Sequence, residues 1–340
     1  LRWVSYAVAV RSTRKLLAVG ALGAVLALGV SACNSSVSSP PGSGSGRPHG
    51  RADVAYAGSL QLLDETVIGP AFAKATGDGY QGRGAGSLGL SQEIRSGEIS
   101  PNVFESIGAA PITALEPRFT TWYVQFAASP LVVAYTASSP DAAELDAIAS
   151  GKEPLAELFR LMARPGFLLG RTNPDTDPQG QAFYEMVELA QAYYQLPAGT
   201  AHRILGALAN PAEVFAETAL DSRLEAGQLD AASAFLSQAV QLHLRYIKLP
   251  AAIDFGDPAL AGTYARAGLT LTGGRRVHGV ALTVDATVIG HTDRAAADAF
   301  VAYQLSAAGR AAYRSAGYEL LTPSLVGTGA PAEVRHALGR

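Results

Sequence analysis

Sulfur is scarce in this sequence, with one cysteine, Cys33, and two methionines among 340 residues. The lone thiol excludes an internal disulfide and any cysteine-rich metal site. Six histidines are scattered without H-x-x-x-H spacing, so no protein metal site and no resident cofactor are expected. Charge is sparse as well. Charged residues make up 16% of the chain and leave a net charge of −3, which argues against a broad nucleic-acid surface. A small anion is not excluded, because local donors outweigh overall balance. Apolar residues are plentiful: 48% hydrophobic residues over this length suits a globular protein of one or two domains with a sizeable core.

Arg11, Arg14 and Lys15 precede an apolar stretch over residues 16–30, which is short for a spanning helix. It ends in Val30-Ser31-Ala32-Cys33, which resembles the lipobox of bacterial lipoproteins. That resemblance implies that residues 1–33 are a signal peptide and lipobox, with Cys33 lipidated as the first mature residue; the other reading is an uncleaved anchor helix. Residues 34–51 are mostly Ser, Gly and Pro, a flexible tether unable to form a core. Folding is expected from about Ala52, outside the membrane.

Two short turns organise the chain beyond the tether: Ala57-Gly58-Ser59-Leu60 and Gly84-Ala85-Gly86-Ser87-Leu88. Each comes after a predicted strand, residues 53–57 and 80–82, and opens a run of helical apolar spacing. A third strand over 101–106 completes a β-α-β-α-β order, which predicts a mainly parallel, helix-covered sheet. Residues 122–136 form the most apolar extended run, broken at Ser129-Pro130, and read as two strands crossing between lobes. Helices are predicted over 141–149, 154–161, 179–194 and 211–226, with Asp177 as N-cap and Pro178 at the first helical position of the third. Further strands are predicted at 167–170 and 229–235, a short helix at 237–244, and an extended return crossover at 246–250. Residues 269–271 and 277–284 are expected to pair around Gly273-Gly274. Helices at 295–303 and 307–316 and a short strand at 318–321 end the fold.

A Gly-Ser pair where a strand meets a helix offers free backbone N–H groups, a hydroxyl and the positive end of a helix dipole, the chemistry of an anion site. Ser59 and Ser87 could instead cap their helices, since Ser is a preferred cap. Two such turns at corresponding strand ends favour a shared ligand role for Gly58, Ser59, Gly86 and Ser87. Gly84 to Gly89 also matches G-x-G-x-x-G, but no acidic residue closes a following strand, and the dinucleotide reading is set aside. Residues 85–89 lie one residue from a G-x-S-x-G elbow, so a lipid-anchored serine hydrolase using Ser87 with His278 or His291 is the enzymatic alternative. Asp177 has two compatible readings, a cap whose helix turns the N–H groups of Gln179 and Gly180 towards the cleft and a direct ligand. Ser233, Ser237 and Gln238 end a strand and begin a helix, as ligand donors or as caps. Arg171, Arg275 and Arg276 read as solvated or structural.

Residues 53–60, 84–88, 92–98 and 102–105, then Trp122-Tyr123 with the run after it, 170–180, 227–237 and 246–250, resemble the molybdate/tungstate-binding proteins of ABC importers. The likeness spans about 52–321. It implies a two-lobed type II periplasmic-binding-protein fold: first lobe 52–131 and 251–325, second lobe 132–250, tail 326–340. It also implies an oxyanion in the cleft, with metal present only within that oxyanion. Ser59 and Ser87 fall on the family's oxyanion-binding serines, and Asp177 on the acidic position that contacts the metal in the tungstate-type branch. The pattern departs at Phe235 and Ala234, where relatives carry a Tyr or a Glu. The implied protein is a monomeric, non-enzymatic lipoprotein on the outer face of the membrane. It would deliver molybdate, tungstate or sulfate to a permease driven by a cytoplasmic ATPase; a binding-protein-fold sensor is the remaining alternative.

Overall fold

The computed structural model describes residues 49–339; the expected signal segment, Cys33 and nearly all of the expected tether lie outside them. Among the described residues, thirteen strands run in chain order. The first four, β1 (Arg51–Ala57), β2 (Gly79–Ala85), β3 (Val103–Ile107) and β4 (Trp122–Ala128), build one sheet together with β12 (Thr283–Val288) and β13 (Glu319–Gly327). Five others, β5 (Leu131–Tyr135), β6 (Leu169–Thr172), β7 (Val214–Phe215), β8 (Ala231–Phe235) and β9 (Arg245–Lys248), build a second. A hairpin of β10 (Gly268–Thr270) and β11 (Arg276–His278) stands apart.

Strands β5 and β8 are buried along their whole length, which is why their sequences show near-continuous apolar runs rather than alternation. Ser129 and Pro130 separate β4 of the first sheet from β5 of the second, so the apolar run does pass between sheets. Proline cannot donate to a ladder, and the break falls there for that reason. Ser129 ties the crossing down: its N–H donates to the Leu282 carbonyl at 3.1 Å and its hydroxyl to Ser237 Oγ at 2.9 Å. Among the described residues no helix is long and apolar enough to cross a membrane.

Four expectations need correction. Neither sheet is mainly parallel: β2, β1 and β3 run parallel, but β12 enters antiparallel between β3 and β4, and β13 lies antiparallel to β4. In the second sheet β5 is antiparallel to both of its neighbours, β8 and β9. Residues 277–284 are not one strand, because the chain leaves the hairpin after His278 and joins the first sheet only at Thr283. Residues 211–226 are not one helix; β7 pairs with β6, and the helix is Glu217–Glu225. The last strand is longer than expected, reaching Gly327 with a register shift between Leu320 and Ser324, and a helix at Ala332–Ala337 comes next, within the expected tail.

Candidate functional site

Strands β1 and β2 pair in parallel with Ala57 opposite Ala85, so the two Gly-Ser turns leave the same sheet edge side by side. After β1 the chain makes a 3-10 turn, Gly58–Leu60, whose N-cap is Ala57. After β2 a helix, Ser87–Ser96, begins with Gly86 as N-cap. Neither serine therefore caps its own helix. Ser59 is buried, and its Oγ has no hydrogen-bond partner among the described residues. The Ser87 hydroxyl turns inward and accepts the Ile107 N–H at 3.2 Å.

Facing these turns are elements of the second sheet. Asp177 has extended backbone and accepts the Gln179 N–H at 2.8 Å, capping the Pro178–Tyr193 helix as its sequence predicts. That N–H is consequently spent on the cap and does not point free into the cleft. The Gln179 side chain is the hub of the wall. Its Oε1 accepts the Ser233 hydroxyl at 2.7 Å, while Nε2 donates to Gln238 Oε1 at 3.0 Å and to Glu217 Oε1 at 3.3 Å. Ser233 thus sits behind Gln179, and Ser237 is bonded to Ser129 at the crossing. Phe235 and Ala234 are buried in the β5–β8 ladder and contribute no polar side-chain group.

Glu217 was not foreseen. It is the first residue of the Glu217–Glu225 helix, is buried, and accepts the Ser59 N–H. A Cβ added to Gly58 would run into its Oε2, so a larger residue there would push the Glu217 carboxylate aside. An acid at a helix start reads in sequence as ordinary dipole compensation, and only the packing against Gly58 marks it as special. A cavity of about 410 Å³ is lined by Gly58, Gly86, Asn173, Thr176, Asp177 and Glu217. Another of about 290 Å³ lies beside it, lined by Gly58, Ser59, Glu65, Asp221 and Gln238 among others. The two sides also touch directly, the Gly89 N–H donating to the Thr176 carbonyl at 3.0 Å.

The electrostatics are those of buried acids. Burial pushes the Asp177 carboxyl up to about 6 against the opposing Gln179 N–H. Burial, then the charges of Asp177 and Asp221, lifts Glu217 well above the usual range, while the Ser59 N–H and Gln238 pull it back. Asp221 is pushed up to about 7 by burial and by Glu225. Arg171 takes no part: it is fully buried and donates to the carbonyls of Leu205, Ala207 and Leu208 at 3.1, 2.8 and 3.1 Å. Arg275 and Arg276 lie exposed at the hairpin. The hydrolase alternative finds no support, since the Ser87 hydroxyl bonds Ile107, His278 sits on β11, and His291 lines a separate cavity with Ile94 and Asn102.

Comparison with known proteins adds family to fold. A family model described as "Bacterial extracellular solute-binding protein" matches residues 52–319. A Haloferax volcanii protein, provisionally named an ABC transporter molybdenum-binding protein, is 31% identical over 287 residues, covering 84% of this chain and 85% of its own. The molybdate/tungstate-binding protein WtpA of Pyrococcus abyssi is 27% identical over 239 residues, covering 64% and 68%. Among solved structures, the periplasmic molybdate-binding protein of Azotobacter vinelandii superposes with a TM-score of 0.51 at 17% identity, covering 79% of this chain and 99% of that one. The sulfate-binding protein SubI of Mycobacterium tuberculosis gives 0.52 at 12% identity, covering 85% and 90%. These two likenesses establish the two-lobed periplasmic-binding-protein fold. The match over 52–319 settles the family, and the chain belongs to the bacterial extracellular solute-binding proteins.

Proposed function

We propose that this chain is the extracytoplasmic capture component of an ABC importer and that it holds a tetrahedral oxyanion, molybdate or tungstate, between its two lobes. The observation that carries the reading is the Ser59 hydroxyl, buried without a hydrogen-bond partner among the described residues on a turn that lies beside a second Gly-Ser turn. A buried, unsatisfied hydroxyl is destabilising by about 1–3 kcal/mol, and such groups persist where a ligand completes them. The names of the Haloferax and Pyrococcus relatives supply the class of ligand.

In this reading the N–H groups of the Gly58-Ser59 and Gly86-Ser87 turns and the Ser59 hydroxyl take the anion from the first lobe. The positive end of the ten-residue Ser87–Ser96 helix favours the negative charge. Ser87 acts through its backbone, its Oγ being turned inward to accept the Ile107 N–H. From the second lobe Asp177 approaches. Burial has already raised its pKa to about 6, and the charge of an arriving anion raises it further, which favours its taking up a proton and meeting an anionic oxygen as an acid. Ser233 and Ser237 serve as positioning groups, the first orienting Gln179 and the second fixing the crossing. The chain passes between the sheets at Ser129-Pro130, just before the expected lobe limit at 131/132, and returns near the expected limit at 250/251; closure about these two crossings results if the anion binds the shut form better. Lipidation of Cys33 would keep this monomer at the outer membrane face, near its permease.

A thermal-shift screen of the signal-less protein against molybdate, tungstate, sulfate and phosphate tests the reading. Stabilisation by molybdate or tungstate at micromolar concentrations is expected; a flat response to every oxyanion would refute it.

A further inference from the structure

The cleft contains a group that competes for the same donors as the anion. Glu217 comes from the second lobe, yet its carboxylate rests on Gly58 and accepts the Ser59 N–H of the first. Gln179 Nε2 at 3.3 Å and Gln238 complete its partners. A carboxylate is thus seated on the very turn assigned to the oxyanion. We propose that Glu217 is a built-in competitor for the oxyanion: an anion gains the Gly58-Ser59 turn only by displacing this side chain, which sets the affinity and links capture to movement between the lobes. The inference rests on the oxyanion reading of the site.

Three observations support it. Gly58 is the residue against which the carboxylate packs, and no larger residue would leave room for it. The occupant is held loosely in electrostatic terms, because Asp177 on the Pro178–Tyr193 helix and Asp221 one turn along its own helix both face it with like charge. On the first lobe, Tyr318, whose hydroxyl donates to the Ser59 carbonyl at 2.9 Å, and Glu65, which lines the cavity beside Ser59, offer no cation. Cavities adjoin the Gly58 contact: Glu217 lines one, Ser59 the other, and Gly58 both, so a displaced side chain has somewhere to go. A binding-competent state that is a minority raises the apparent dissociation constant by the inverse of its population.

Calorimetric titration of wild type, Glu217→Gln and Glu217→Ala with tungstate and with sulfate tests this, with thermal unfolding of each variant as a fold control. Removing the competitor should tighten both anions roughly tenfold, equivalent to about 1.4 kcal/mol. The alanine variant should gain at least as much as glutamine, whose amide oxygen can still accept the Ser59 N–H. Unchanged or weaker binding of both anions by variants of a wild type that binds them would overturn the competitor while leaving the oxyanion site standing. Loss confined to tungstate would also overturn it, and would make Glu217 a ligand of the metal centre. No binding of either anion by any of the three proteins would remove the oxyanion reading and this inference with it. If the alanine variant fails to fold, the near-isosteric glutamine variant decides alone.

Discussion

Gly86→Ala separates closure of the cleft from folding of the chain. Gly86 has φ −59° and ψ 128°, a backbone conformation open to any residue, so alanine brings no conformational strain. Its cost is steric: a Cβ there would stand 2.5 Å from the Thr176 carbonyl oxygen, across the cleft and on backbone that has no rotamer to change. Restoring ordinary contact requires the two sides to part by about 0.9 Å. The Gly89–Thr176 hydrogen bond, now 3.0 Å, would stretch to about 3.9 Å and be lost. A bond of that kind contributes about 0.5–1.5 kcal/mol, and a charge-assisted bond from the second lobe to the anion about 1.5–3 kcal/mol. Together these predict about 2–4.5 kcal/mol, a loss of roughly 30- to 2,000-fold in tungstate affinity. Calorimetric titration reads the affinity, and urea unfolding without anion should change by no more than about 1.5 kcal/mol, the contribution of the one bond lost. Gly89→Ala is the control, because a Cβ there meets Thr176 only at 3.7–3.8 Å and should leave binding intact. A Gly86→Ala protein that binds tungstate as wild type does, or a Gly89→Ala protein equally impaired, would refute the closure geometry.

Other expectations concern the scaffold. Arg171→Ala removes a buried guanidinium that holds three carbonyls of residues 205–208 and lies 3.5 Å from Glu213; a loss of about 3–5 kcal/mol is expected by urea unfolding. Burial pushes Glu105, Asp221 and Asp285 up to about 7 and Glu185 up to about 8. The folded state therefore binds protons that the unfolded chain, with carboxyls near 4, releases. Stability should be highest at the acid end of that window and fall as pH rises from about 4 to 8, by several kcal/mol in sum. Urea midpoints at about pH 5 and pH 8 check this, and a higher midpoint at pH 8 would contradict it.

Much of the site was legible because glycine and proline punctuate it. The strand ends at Ala57 and Ala85 lead at once into Gly-Ser, and residue-by-residue parallel pairing of β1 with β2 then sets the turns side by side. Asp177-Pro178 spelled out a cap and a first helical residue, and Ser129-Pro130 marked the passage between sheets. Features that escaped sequence reading depend on partners distant in the chain. Strand β12 enters between β3 and β4 from some 160 residues away, which no local pattern records. Proline at position 323 hid the length of β13, which is tolerated because β13 is an edge strand with a shifted register. Residues 277–284 read as one strand because their apolar spacing continues across the point where pairing stops. Glu217 escaped for the same reason. Its role is visible only when the second lobe brings it against Gly58.

The central claim is that the Gly58-Ser59 turn, with its neighbour at Gly86-Ser87, seats the oxyanion. Calorimetric titration of Ser59→Ala with tungstate tests it most directly. Loss of a hydroxyl that has no partner among the described residues should leave the anion-free fold at least as stable, while weakening tungstate binding roughly 10- to 100-fold. Affinity equal to that of wild type in the folded variant would contradict the account.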